Sequence, residues 1–173
     1  MVLRTLVLGL VAGLFYMAWA GAASDPRPAL VHAHDLVADA RSAAADDKPL
    51  LLMFSSEPCP YCRIVEDEFL RPMLISGEYD DKVVMRKVKL DGYSRIRDFE
   101  GREVRVDELA KNYGVRITPT VVMVDAKGRQ LAPSLEGIAT RDYYGGDLDR
   151  VIDQALVEVR GEGSTLSKAR AAQ

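Results

Sequence analysis

The sequence predicts an α/β fold of three layers, with a central mixed β-sheet flanked by helices, and three observations lead there. Leu50-Leu51-Leu52-Met53-Phe54 is a continuous apolar run bounded by Pro49 and Ser55-Ser56. It is too short for a helix and apolar at every position, as a strand inside a mixed or parallel sheet must be. Lys82 to Leu90 and Thr120-Val121-Val122-Met123-Val124 are β-branched runs that supply two more strands. Around them lie segments with apolar stripes at helical spacing. The composition agrees: 173 residues, 48% hydrophobic and 28% charged, describe one globular domain rather than a disordered, collagenous or polytopic membrane chain. A formal charge of -3, with no basic block, excludes an electrostatic footprint for nucleic acid. A chain of this size buries roughly 70% of its unfolded surface. It needs no disulfide framework or structural metal, so its two cysteines are free for chemistry.

Taken in order, residues 1–23 are set apart from the fold. Arg4 precedes an uncharged, mostly apolar run from Thr5 to Ala23, and Ala18-Trp19-Ala20 and Ala20-Gly21-Ala22 both fit the small-x-small pattern of a cleavage site. This is an export signal peptide. The alternative is an uncleaved anchor, since such a run spans about 28 Å as a helix, close to the thickness of a hydrocarbon core. Either way the domain is expected in the periplasm or otherwise outside the cytoplasm. Residues 24–34 read as linker. Residues 35–46 are Ala-rich, free of Gly and Pro, with a stripe at Leu36, Val37, Ala40 and Ala44, which makes a short amphipathic helix. The strand at Leu50 to Phe54 follows.

Directly after that strand comes Glu57-Pro58-Cys59-Pro60-Tyr61-Cys62-Arg63. Pro60 lacks an N–H and suits the first turn of a helix, for which Ile64, Val65, Phe69 and Leu70 form an apolar face. Cys59 therefore sits at a helix N-terminus, where unpaired N–H groups and the macrodipole favour a thiolate. Cys62 lies one turn on, close enough to bridge. The small loop such a bond closes is worth only about 2 kcal/mol of chain entropy, which suits a bond that opens and closes. Arg63 adds a cation, while Glu57, Glu66, Asp67 and Glu68 push the other way.

Arg71-Pro72 should interrupt this helix, with Met73 to Glu78 continuing it at an angle. Residues 91–106, with Gly92 and Gly101, read as a long loop or short hairpin and a candidate recognition element. Asp107 to Tyr113 is a short helix ended by Gly114. Val115 to Pro119 leads into the strand at Thr120, and Ala126-Lys127-Gly128-Arg129 turns it into a partner over Gln130 to Leu135. Gly145 to Val159 is the closing helix, and residues 161–173 read as a flexible tail.

The order of strand, Cys-Pro-Tyr-Cys, strand, a helix ending Tyr113-Gly114-Val115-Arg116, then Thr118-Pro119-Thr120, a hairpin and a last helix resembles the thioredoxin superfamily over residues 35–160. The most similar exported members are thioredoxin-like thiol-disulfide oxidoreductases of the SoxW type, from bacterial sulfur-oxidation gene clusters. The resemblance implies a thioredoxin-like domain, catalytic Cys59 and Cys62, and a cis Thr118-Pro119 bond against the sulfurs. It implies substrate contacts at Thr118 and Pro119; Pro60 and Tyr61 are candidate substrate contacts by their position between the cysteines, and Arg63, by its charge, is the candidate for tuning the thiol pKa. The resemblance also implies a disulfide-bearing protein as substrate and a membrane or periplasmic electron donor. No cofactor, metal or nucleic acid is expected, and the chain is expected to be a monomer. Two departures stand out. The family's buried Asp, six residues before the first cysteine, is here Met53, so the usual proton acceptor for the resolving thiol is missing, and Lys87 takes the place of its lysine partner. The tetrad itself resembles glutaredoxins, but Gly145-Gly146-Asp147 read as a helix start.

By thiol-disulfide exchange, Cys59 attacks a substrate disulfide and Cys62 then releases the reduced substrate. Thr118 before the proline resembles exported reductases and isomerases, and since isomerases are usually dimers with an extra domain, reduction is the expected direction and oxidation the alternative. Two readings from other classes remain. His32 and His34 with the thiols are candidate soft-metal ligands, and a non-catalytic binding module would keep the fold without using the cysteines.

Overall fold

The computed structural model describes residues 28–171, with side chains through 161. The expected signal or anchor, residues 1–23, lies outside the described residues.

β1, Leu50–Ser56, is the centre of the sheet. It pairs parallel with β2, Val84–Leu90, and antiparallel with β5, Thr120–Val124, which in turn carries β6, Leu135–Glu136. The strand order is β2-β1-β5-β6, a mixed sheet. With neighbours on both edges and helices on both faces, every residue from Leu50 to Phe54 is fully buried. That is why the run carries no polar alternation.

Side chains alternate between two cores. Leu51 and Met53 face a cluster with Val65, Leu70, Leu148 and Ile152, while Leu50, Leu52 and Phe54 face one with Leu36, Ala43, Ile96 and Leu109. The first layer is α2, residues 60–76, and α4, Arg141–Ala171; the second is α1, Leu36–Ala45, with α3, Val106–Asn112. Asp35 caps α1 by accepting from the Ala38 N–H at 3.0 Å, which leaves the Leu36/Ala40/Ala43 stripe to the core.

α2 departs from expectation. Pro72 does not interrupt it: the helix runs Pro60–Ile64, widens to a π-helical segment at Val65–Leu70, and resumes as Arg71–Ser76. A proline ring crowds the preceding turn, and the wider turn gives it room without a break. Gly77, at φ +73°, ends the helix.

Residues 91–106 adopt the hairpin alternative, β3, Arg95–Arg97, against β4, Glu103–Arg105. Ile96 anchors it in the core beside Leu36, and Arg97 reaches Asp35 at 3.3 Å. It packs on the face of the sheet opposite α2, and none of its residues lines the cavity at the cysteines.

Three boundaries also differ. The stretch read as linker is tied down at its end: Leu30 is buried, the Lys87 N–H donates to Val31 O at 2.8 Å, and the Ala33 N–H donates to Lys87 O at 2.9 Å, which extends the open edge of β2. The partner of β5 is split between a single bridge at Gln130 and the two residues of β6, because Pro133 has no N–H for a ladder. α4 starts at Arg141, ahead of the glycines expected to begin it, and its backbone continues to Ala171 through the expected tail, where no proline stops it.

Gly128 joins the β5 turn to this second layer. Its φ is +78°, and a Cβ there would stand 2.6 Å from Phe99 and 3.0 Å from the Tyr113 hydroxyl, which donates to Gly128 O at 2.8 Å. Gly128→Ala is expected to lower unfolding free energy by about 2–4 kcal/mol, from left-handed strain plus overpacking, read as a shift in the urea midpoint. At the base of the hairpin, the Ser94 hydroxyl and the Ser94 and Tyr93 amides all donate to Asp91, holding its carboxyl down at about 2 against an ordinary 3.8. Its folded pKa lies below the unfolded one, so its contribution is present above the ordinary value and lost as pH falls toward 2. The Tyr93 and Ser94 amide resonances should shift together in that acid window, and should not do so in Asp91→Asn.

Candidate functional site

The chain leaving β1 turns through Glu57 and a cis Pro58 and delivers Cys59 to the N-cap of α2. Pro60 occupies the first helical turn, and the Cys62 N–H points back at Cys59 Sγ at 3.1 Å. Cys59 and Cys62 form a disulfide with Cα atoms 5.3 Å apart. The two sulfurs are unequal. Cys62 is buried, 3% exposed, within the core that includes Met53 and Val65, whereas Cys59 is half-buried at the surface.

The second wall comes from 59 residues further along the chain. The Thr118-Pro119 peptide bond is cis. The Thr118 carbonyl oxygen lies 3.7 Å from Cys59 Sγ and its hydroxyl 3.6 Å from the same sulfur. The last residue of β1 completes this corner, with Ser56 Oγ 2.7 Å from Thr118 Oγ1. When Ser56 donates to Thr118, the Thr118 proton is free to point at the sulfur. Nothing in the sequence pattern singled out Ser56. The only sign was its place at the end of a strand running toward the motif.

Of the other expected site residues, Tyr61 is 59% exposed beside the cysteines and Ile117, next to Thr118, is 51% exposed. These form an apolar rim around an accessible sulfur. Pro60 is exposed and Pro119 buried. Arg63 is exposed and lines a cavity of about 490 Å³ together with both cysteines, Ser56, Glu66 and Lys87. Lys87 stands directly across from Met53 in the β1/β2 register. It donates to Glu66 Oε2 at 2.5 Å, with the two side chains only 17% and 12% exposed. The carboxylate near the buried sulfur thus comes from α2 rather than from β1. Glu66 lies four residues after Cys62, and that spacing was the signal available in the sequence. At the mouth, Glu57 pairs with Lys89 at 3.2 Å.

His32 and His34 stack at 6.4 Å beside the edge of β2. Among the described residues no three His, Cys, Asp or Glu side chains converge as a metal-ligand set. Also among these residues, no helix is long and apolar enough to cross a membrane.

A dithiol at a helix N-terminus, one sulfur open and one buried, facing a cis-proline loop, is the site of a thiol-disulfide oxidoreductase built on a thioredoxin-like fold. Residues 36–152 match the model of the thioredoxin-like domain family, and the chain belongs to that family. No curated protein matches it by sequence. Among solved structures it is similar to DsbH oxidoreductase, at 22% identity, with 75% of this chain and 90% of that one covered and a TM-score of 0.51. A thioredoxin-like protein from Clostridium perfringens matches at 21% identity over 78% and 91% of the two chains, with a TM-score of 0.48. A thioredoxin from Malassezia sympodialis matches at 19% identity over 73% and 96%, with a TM-score of 0.47.

Ser56→Ala should leave the fold intact and raise the thiol pKa of Cys59. A hydrogen bond of about 0.5–1 kcal/mol corresponds to a roughly two- to fivefold fall in alkylation rate at fixed pH below the thiol pKa. Iodoacetamide kinetics across pH, followed by mass, reads this directly.

Proposed function

We propose that the protein is an exported thiol-disulfide reductase that opens disulfides of extracytoplasmic proteins. The observation that carries the redox role is the inequality of the two sulfurs: Cys59 is accessible at the N-cap beside Thr118, and Cys62 is buried behind it. The Cys59 thiolate attacks a substrate disulfide and the first substrate sulfur leaves as thiolate. Cys62 then attacks Cys59 Sγ and the second leaves in the same way. The substrate disulfide gains two electrons, and the Cys59–Cys62 pair loses them. The free N–H groups of the first helical turn favour the attacking anion.

An extended substrate segment fits along Thr118, where backbone pairing supplies affinity without sequence demands. The rim of Tyr61 and Ile117 supplies apolar contact. Export rests on residues 1–23, and the reducing direction on Thr118 before the proline, which resembles exported reductases and isomerases, the latter usually being dimers built with an extra domain. A reductase in an oxidising compartment has to be recharged, so a membrane or periplasmic electron donor is part of the proposal. The chain acts as a monomer, with no cofactor.

The test is the reduction potential of the Cys59/Cys62 pair, by equilibration with a dithiol/disulfide buffer and alkylation mass shift. A value near about -270 mV supports the reductase, while one near about -120 mV makes the protein an oxidant. A pair that does not cycle reversibly ends the redox reading. Cys62→Ser should retain the first attack and trap substrates as stable mixed disulfides on Cys59, visible on non-reducing gels. Cys59→Ser should form none.

A further inference from the structure

We propose that Glu66, held by Lys87, is the proton acceptor for the buried thiol of Cys62 in the resolving step. This rests on the oxidoreductase reading and names a residue that completes it. Cys62 attacks only as a thiolate, and at 3% exposure it has little direct access to bulk water. Among the charged groups that line the cavity, only the two carboxylates can accept its proton. Glu57 is at the mouth, 73% exposed and engaged by Lys89. Lys87 is a cation and carries no free pair. Glu66 is four residues after Cys62 on α2, lines the same cavity, and is 12% exposed. Lys87 donates to its Oε2, and the carboxylate lines the cavity that Cys62 also lines. A volume of about 490 Å³ holds water enough to carry a proton between the two groups.

The step balances without a co-reactant. In the mixed disulfide, Cys59 Sγ is bonded to substrate sulfur and Cys62 carries a thiol. The Glu66 carboxylate takes that proton by way of cavity water. Cys62 Sγ attacks Cys59 Sγ, the Cys59–Cys62 bond forms, and the bond from Cys59 to substrate breaks with its electron pair on the substrate sulfur. That thiolate takes a proton from solvent, and Glu66 returns its own to solvent. Lys87 is a positioning residue.

Other charged groups surround Glu66: Lys87 on β2, Arg63 on its own helix and Glu57 at the mouth line the same cavity, and His32, on the strip beside β2, feels the charges of Glu66, Lys87, Lys89 and His34. His32 is the rival acceptor, because burial and the nearby Lys87 hold its pKa below the usual range and leave it a neutral base.

The experiment uses the reduced protein and excess 5,5′-dithiobis(2-nitrobenzoic acid), since the chain has only two cysteines. The first nitrothiobenzoate is released at a rate proportional to reagent, by Cys59. The second is released in a first-order phase as Cys62 displaces it. In Glu66→Gln the first phase should be unchanged and the second slowed roughly a hundredfold at neutral pH. Its acid inflection should vanish, with the rate rising only toward the thiol range. Glu66→Asp should restore the inflection at a reduced rate, and His32→Gln should leave it in place. A second phase in Glu66→Gln with wild-type rate and pH profile overturns the proposal, as does an inflection that disappears in His32→Gln and persists without Glu66. If Glu66→Gln does not fold, Glu66→Asp decides alone: wild-type rate and profile at every pH count against the proposal, and a slowed phase with the inflection retained supports it. Absence of the first phase in the wild type would instead remove the oxidoreductase reading itself.

Discussion

β1 has neighbours on both edges and helices on both faces, and Leu50 to Phe54 expose nothing. A strand enclosed in this way cannot slip or tilt without unburying its apolar side chains on both sides of the sheet. Its last residues are therefore held in one place, and the site is assembled on them. Ser56 meets Thr118, Glu57 and Pro58 turn the chain, and Cys59 begins α2. The antiparallel neighbour β5 enters the sheet beside the end of β1, with Phe54 opposite Thr120. That register brings Thr118-Pro119 against the cysteines, so the position of the second wall depends on the pairing of the first strand.

The site's electrostatics combine donors aimed at Cys59 with a charge pair in the cavity that both cysteines line. On the open side, Cys59 Sγ receives the Cys62 N–H and lies within reach of the Thr118 hydroxyl, both donors that favour a thiolate. The Glu66–Lys87 pair lies in the cavity that both cysteines line. The thioredoxin-like arrangement expected from the sequence places a carboxylate in the strand, at the position Met53 fills. With an apolar residue there, the strand packs more simply, and the paired charges are moved to the rim of the cavity, where neither partner is fully desolvated.

Much of the fold was legible because burial and backbone chemistry leave local marks. The continuous run at Leu50 marked a central strand, Pro60 a helix start, and Gly114 a helix end. Where reading failed, a distant partner overrode the local signal. Pro72 suggested a break, but packing of Val65 and Leu70 into the core keeps the helix going through a widened turn. Residues 30–33 looked like linker because a strip that merely borrows hydrogen bonds from the open edge of β2 needs no strand-like composition. Pro133 was visible in the sequence, and its cost to the β5 partner strand was the one lapse a local rule covered.

The sequence by itself determined the two cysteines, their order and spacing, and the helix terminus that activates the first. These follow from neighbours within one turn of chain. It also determined the Thr-Pro-Thr segment as the second half of the site through a pattern, without saying how the halves meet. Only the tertiary structure decided that Ser56 orients Thr118, that Glu66 and Lys87 share the cavity lined by both cysteines, and that the hairpin at 91–106 stands on the other face of the sheet. Each depends on strand register or on helix packing, and those are set by burying side chains from remote parts of the chain together, which no local spacing encodes.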